Sequence, residues 1–420
     1  MNYRIWILIS LVVGSCQLEG EDNGQLYSTL SNTLECWKDL SIQNAEGYSI
    51  RQYNNDLYVG GSTDITGNFL FTLATVYKLN KCGEKISELN VSDEEITAYA
   101  TYTTQVNDLV VDSEENIYIA KYSSDDTKTV KKYKSNGELL WSDNSTDNPL
   151  ILMKDIQGNV ISLGDTTGNH GDNTADSSNW SDRDIIINKF SSSGKMWSYQ
   201  IGSVAVGAFE TDNAISLEID QNNDIYVLGT TQGNLAGTNL DSSSGTKDVV
   251  VLKINSSGNL VWKKQFGTNT TENPHLIKYQ TSGDELWVFV SSSGDLDNDA
   301  STATSGIFLV KINAVDGSEI SRSLVFDGTG LTLNDAFEDG NGNLFIVGDE
   351  YISIIYQHDV FLKKIDANGN QVWHKKIISS TAVEYARRGI VISDKIFLTG
   401  SINGNLFVRR FDLNGNSDTN

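Results

Sequence analysis

Short apolar runs separated by polar turns follow one another along nearly the whole chain, and they recur in a fixed order. One complete unit occupies Ile219–Phe266. An apolar run enters the polar turn IDQNND, a second run IYVLG ends in glycine, and a Ser/Thr/Asn loop leads to DVVVLKIN, the turn SSGN and LVWKKQF. Seven segments repeat the second run, from NNDLYVGG at Asn54 to SDKIFLTG at Ser393. Seven third runs carry a basic residue, at Lys78, Lys132, Lys189, Lys253, Lys311, Lys364 and Arg410. The fourth run carries tryptophan at Trp141, Trp197, Trp262 and Trp373, with Ile86 and Ile320 in its place in two units. The runs are β-branched and almost continuously apolar, as in strands whose sheets are covered on both faces.

Four strands per unit, with a period of roughly 50–60 residues, define a propeller blade. The expected fold is all-β: a seven-bladed β-propeller of four-stranded blades. The last unit stops at FVRRFDLNGN without a fourth run, and the missing run stands at the other terminus as LECWKDL, around Trp37. Pairing 34–40 with 405–412 closes the ring and removes two open strand edges. The expected organisation is therefore a signal peptide over 1–15, an acidic tether over 16–29, one propeller over 30–416 and a short tail over 417–420. Length alone would suggest several domains, and the repeat overrides that prior.

The pattern D-x-x-G/N-N-x-Y/F-x-x-G, followed by D-x-F/V-V/L-x-K-φ-N/D-x-x-G-N-x-x-W, resembles the bacterial seven-bladed propeller repeats often called SBBP repeats, over about 47–416. That resemblance implies a binding or scaffold module and no particular reaction. Ile86 and Ile320 depart from the pattern at the tryptophan position.

The N-terminal run IWILISLVV is short for a membrane span, and with GSC after it the segment has the form of a bacterial lipoprotein signal cleaved before Cys16. Acyl chains on Cys16 would anchor the protein. Gln17 is not the Asp of an inner-membrane retention signal, so the expected location is the bacterial cell envelope, as an outer-membrane lipoprotein. Cys36 and Cys82 then remain as a pair in an oxidising compartment, in blades that are neighbours in the ring. They form a disulfide or stay separate thiols.

A net charge of −24, from 55 acidic and 31 basic residues, argues against nucleic acid or anionic lipid head groups as ligands. The long connections 165–183, 230–247, 291–305 and 349–358 fall on one face of the ring, where function concentrates. On that face Asp295, Asp297 and Asp299 alternate in GDLDNDAS and offer oxygens for Ca2+, although Ala300 and Gly306 break any EF-hand pattern. An acidic surface loop is the plainer reading. Trp180 stands in a polar loop beside His170, Asp172 and Asp182, either as a stacking platform or tucked onto its own blade. His275 and His358 are the other candidates on this face.

No HExxH, CxxC, serine elbow or phosphate-binding glycine loop is present, and no catalytic residue is assigned. The favoured reading is a membrane-anchored propeller that recognises a glycan, protein or envelope component through its loop-rich acidic face. The alternative is an outer-membrane assembly or scaffold lipoprotein. An extracellular hydrolase or lyase using the His-bearing face comes third.

Overall fold

The computed structural model describes residues 36–67, 71–92, 102–124, 129–171, 183–203, 211–237, 246–294, 296, 305–327, 330–352, 357–378 and 383–418. Among them are 28 β-strands and no α-helix. In chain order they are β1 (Leu40–Ile42), β2 (Ala45–Tyr53), β3 (Asp56–Asp64), β4 (Phe71–Leu79), β5 (Lys85–Asn90), β6 (Tyr102–Val111), β7 (Ile117–Ser123), β8 (Thr129–Tyr133) and β9 (Leu139–Asp143). There follow β10 (Asn148–Lys154), β11 (Val160–Thr166), β12 (Asp184–Ser191), β13 (Gly194–Ile201), β14 (Asp212–Ile219), β15 (Ile225–Thr231), β16 (Asp248–Ile254), β17 (Leu260–Phe266), β18 (Asn273–Gln280) and β19 (Glu285–Ser292). The remainder are β20 (Gly306–Asn313), β21 (Glu319–Asp327), β22 (Leu331–Glu338), β23 (Leu344–Ile352), β24 (Gln357–Ile365), β25 (Gln371–Ile378), β26 (Glu384–Ile392), β27 (Lys395–Ile402) and β28 (Asn405–Asp412).

Four-stranded antiparallel blades stand in a ring, which makes the fold a β-propeller. The sheet count corrects the expectation of seven separate blades. Five four-stranded sheets stand alone, while β2–β9 form one eight-stranded sheet. The cause is local: β5 covers the edge of β4 only from Thr75 onward, and the start of β6 pairs in parallel with the uncovered part, Phe71 with Tyr102 and Thr72 with Thr103.

The repeated lysine, tryptophan and turn glycine act together at the blade interfaces. Lys253 Nζ and Trp262 Nε1 both donate to the carbonyl of Ala314 in the turn of the next blade, at 3.2 and 3.3 Å. Lys132 and Trp141 do the same to Ser192, at 3.2 and 3.3 Å. The lysine amine is also paired within its own blade, Lys132 with Asp112 at 3.1 Å and Lys189 with Asp155 at 2.8 Å. The carboxylate and the carbonyl together offset part of the cost of desolvating the amine. Turn glycines with positive φ lie flat on the preceding blade's indole, as Gly317 does on Trp262. Where Ile86 and Ile320 replace tryptophan, the side chains are exposed.

Aliphatic side chains fill the space between blades, Leu163 and Ile187 packing with Leu217, Val227 and Val250 in one continuous cluster. Closure uses an early and a late strand of the chain, with the early one displaced toward the C-terminus from the expected segment. The pairing strand is β1, with Leu40 opposite Val408 and Ile42 opposite Leu406, rather than 34–40. Trp37 precedes it, buried edge-on against Phe397 at 4.8 Å. Cys36 and Cys82 are joined by a disulfide, with Cα atoms 5.0 Å apart. Within the short tail Ser417 bridges Phe411, and the Asp418 carbonyl accepts from Arg410 at 2.9 Å.

Candidate functional site at the mouth of the central channel

The first strand of each repeat faces the ring axis, and β2, β6, β10, β14, β18, β22 and β26 line a central cavity of about 520 Å3. Each of these strands carries one extra residue against its partner: Tyr48, Asn107, Leu150, Ile215, His275, Asn334 and Arg387. A bulge bends its strand and re-aims a side chain, and bulges concentrate beside functional sites. Here several of the bulged side chains reach the next blade. Asn107 donates to Pro149 O (2.8 Å) and Asn334 to Ala386 O (2.7 Å), while the Leu333 N–H donates to His275 Nδ1 (3.4 Å).

Below this collar the channel wall is charged and balanced. Arg51 pairs with Asp108 at 2.8 Å, Lys278 with Glu218 at 2.5 Å and Arg388 with Asp335 at 3.3 Å, each across a blade boundary. Asp108 also accepts from the Ser49 hydroxyl and the Leu152 N–H, and Asp335 from the Gly389 N–H. These pairs hold neighbouring blades in register. Burial raises the Glu218 carboxyl, and the nearby Lys278 opposes that shift.

The collar opens on one side into a row of rings. His358 lies between Tyr351 and Tyr385, with ring centroids 5.1 and 5.0 Å away. The Arg387 guanidinium follows, 4.8 Å from the Tyr385 ring and 5.9 Å from that of Tyr48. Tyr351 is 40% exposed, so the end of the row is open to solvent. Among the described residues Arg387 has no ion pair. The buried Asp349 carboxylate lies beneath, accepting from Asn334 at 2.6 Å and from the Ala386 N–H at 3.4 Å; burial pushes its carboxyl above the usual range.

The candidates read from sequence separate here. In the expected loop 349–358 the described residues are strand, because β23 and β24 continue pairing through Tyr351–His358 to Ile352–Gln357. His358 belongs to the ring row. His275 is turned into the wall between two blades instead of standing on the face: its Nε2–H meets Ser291 Oγ at 2.5 Å, and burial drops its pKa to about 4. His170 is exposed, with its backbone N–H on Gln200 Oε1 at 2.8 Å. The three histidines have different neighbours and make no joint site. Cys16, Asp172, Trp180, Asp182, Asp295, Asp297 and Asp299 lie outside the described residues. Sequence reasoning missed Tyr48, Tyr351, Tyr385 and Arg387; the one-residue break in alternation along the first strands was the available signal for Tyr48 and Arg387, and Tyr351 and Tyr385 lie off the bulges.

No family model and no curated protein sequence matches the chain. Solved structures match its fold. It is similar to Chaetomium thermophilum Raptor, with 11% identity and a TM-score of 0.53, covering 94% of this chain and 31% of that one. The polysaccharide lyase Uly1 aligns at 10% identity and a TM-score of 0.50, over 87% of this chain and 90% of the lyase. A puromycin hydrolase aligns at 8% identity and 0.53, over 89% and 53%. At such identities the likeness is one of fold, and fold alone assigns no activity.

Proposed function

We propose that the protein is an envelope-anchored recognition propeller that binds a saccharide at the mouth of its central channel. The observation that carries this reading is the contiguous row Tyr351–His358–Tyr385–Arg387–Tyr48, contributed by neighbouring blades. Aromatic faces take the apolar face of a pyranose, and their polar edges and a guanidinium bond its hydroxyls or a carboxylate. A rigid sheet support under such a row lowers the ordering cost of binding. In this reading Cys16 carries the acyl anchor and the tether holds the ring off an outer membrane.

The ring is taken as seven-bladed, with the eight-stranded sheet counted as two blades joined at one corner. This rests on the inner strands, since each of β2, β6, β10, β14, β18, β22 and β26 packs against the next and β26 returns to β2.

The test is capture on an array of neutral and uronic-acid oligosaccharides by protein beginning after residue 16. Tyr385→Ala and Arg387→Ala are each expected to lower capture roughly tenfold, on hot-spot precedent, with the melting temperature nearly unchanged. Wild-type capture by both variants would overturn the reading.

A further inference from the structure

Two buried carboxylates meet at the junction between the blade of β14–β17 and the blade of β18–β21. Asp248 opens β16 and is 1% exposed, while Glu272 precedes β18 and is 0% exposed. Each has one oxygen held firmly. Asp248 Oδ2 accepts from Gln265 Nε2 at 2.9 Å, and Gln265 is fixed in turn by the N–H groups of Leu235 and Ala236, both at 3.0 Å. Glu272 Oε1 accepts from the hydroxyls of Thr268 at 2.6 Å and Ser292 at 3.1 Å.

The other two oxygens, Asp248 Oδ1 and Glu272 Oε2, are buried with no hydrogen-bond partner. Both are aimed at the space left by the absent side chain of Gly267. A Cβ placed there would stand 2.3 Å from Asp248 Oδ1 and 2.5 Å from Glu272 Oε2. The two oxygens therefore lie no more than about 4.8 Å apart, a span that one ion keeping roughly 2.3–2.6 Å to each of them can bridge. Burying two like charges without a counter-charge is unfavourable, and burial drives both carboxyls above their usual range.

The arrangement recurs one junction earlier, with Asp184, Gly202 and Asp212 in the same places and Gln200 in that of Gln265; Asp212 Oδ1 is again buried without a partner. At the corresponding place in β25 the glutamine is replaced by Lys376, whose amine lies 3.3 Å from Asp359. There the chain supplies its own cation.

We propose that Asp248 and Glu272 bind a hard divalent cation of the Ca2+ class in the gap beside Gly267, clamping two blades together. Among the described residues no three His, Cys, Asp or Glu side chains converge, so neutral oxygens and water complete the coordination. The hydrogen bonds that orient the two carboxylates preorganise the site.

The experiment uses the folded protein beginning after residue 16. Elemental analysis and calcium titration come first, followed by melting with chelator, with Ca2+ and with Mg2+. Chelation is expected to lower the melting temperature and Ca2+ to restore it, because an ion bound only by the folded state raises stability. Glu272→Gln, which keeps the shape and removes the charge, is expected to weaken Ca2+ binding roughly tenfold or more. Hydrogen exchange on the unmutated protein gives a second reading: Ca2+ should protect 246–250 and 265–273. A melt indifferent to chelator and both ions, or a Ca2+ response that survives Glu272→Gln and leaves those segments unprotected, would overturn the proposal.

Discussion

His275 is held by two hydrogen bonds that suit only the neutral ring, Nδ1 accepting from Leu333 and Nε2–H donating to Ser291. Burial lowers its pKa from 6.5 to about 4. Between those values the folded protein binds fewer protons than the unfolded chain, so the stability from this residue is complete above pH 6.5 and is lost as pH falls through 4. The loss is on the order of 3 kcal/mol. Asp165 acts with the opposite sign: burial raises it to about 6, so its contribution is present below the ordinary carboxylate range and is lost as pH rises through that value. His275→Asn should therefore be clearly less stable than wild type at neutral pH, with the gap closing toward pH 4 in chemical melts. Parallel pH profiles for the two proteins would refute this assignment.

At the scale of elements, the blade interface is built from a lysine, an indole and a turn glycine. Gly317 (φ 74°) has Trp262 ring atoms 2.8 Å from where its Cβ would be, while Gly158 (φ 81°) has nothing within 4 Å. Gly158→Ala then costs only the left-handed backbone, roughly 1–2 kcal/mol. Gly317→Ala adds an overpacked interface, roughly 1–3 kcal/mol more. Equal losses in denaturant melts would remove the packing role of the glycine. This part of the fold was legible because most interfaces repeat the same chemistry at the same spacing, the units with Ile86 and Ile320 excepted. The join between β4 and β6 was not, because backbone pairing at Phe71 and Thr72 has no side-chain signature. The ring row was harder to read: Tyr48 and Arg387 share the bulge position, which holds Asn, Leu, Ile or His in the other repeats, and Tyr351 and Tyr385 lie off it, so no repeated residue type marks the row.

For the whole molecule, ring closure depends on β1 and the segment before it. A chain beginning at Gln43 bares the edge of β28 and removes Trp37 from its core cluster, so aggregation or loss of a cooperative melt is expected. Reducing the Cys36–Cys82 bridge in the full chain is milder, roughly 2–4 kcal/mol, since the strand remains. A shortened protein melting like wild type would show that the ring closes without β1. Closure also places β2 beside β26, which brings Tyr48 to Arg387 and completes the ring row at the channel mouth. Hydrogen exchange of the protein with saturating oligosaccharide, drawn from those captured on the array, tests this account most directly. Protection is predicted at 46–49, 349–352, 357–359 and 384–388, with the turns at 256–259 and 367–370 unchanged. Failure to capture any saccharide, or protection confined to those turns, would contradict it.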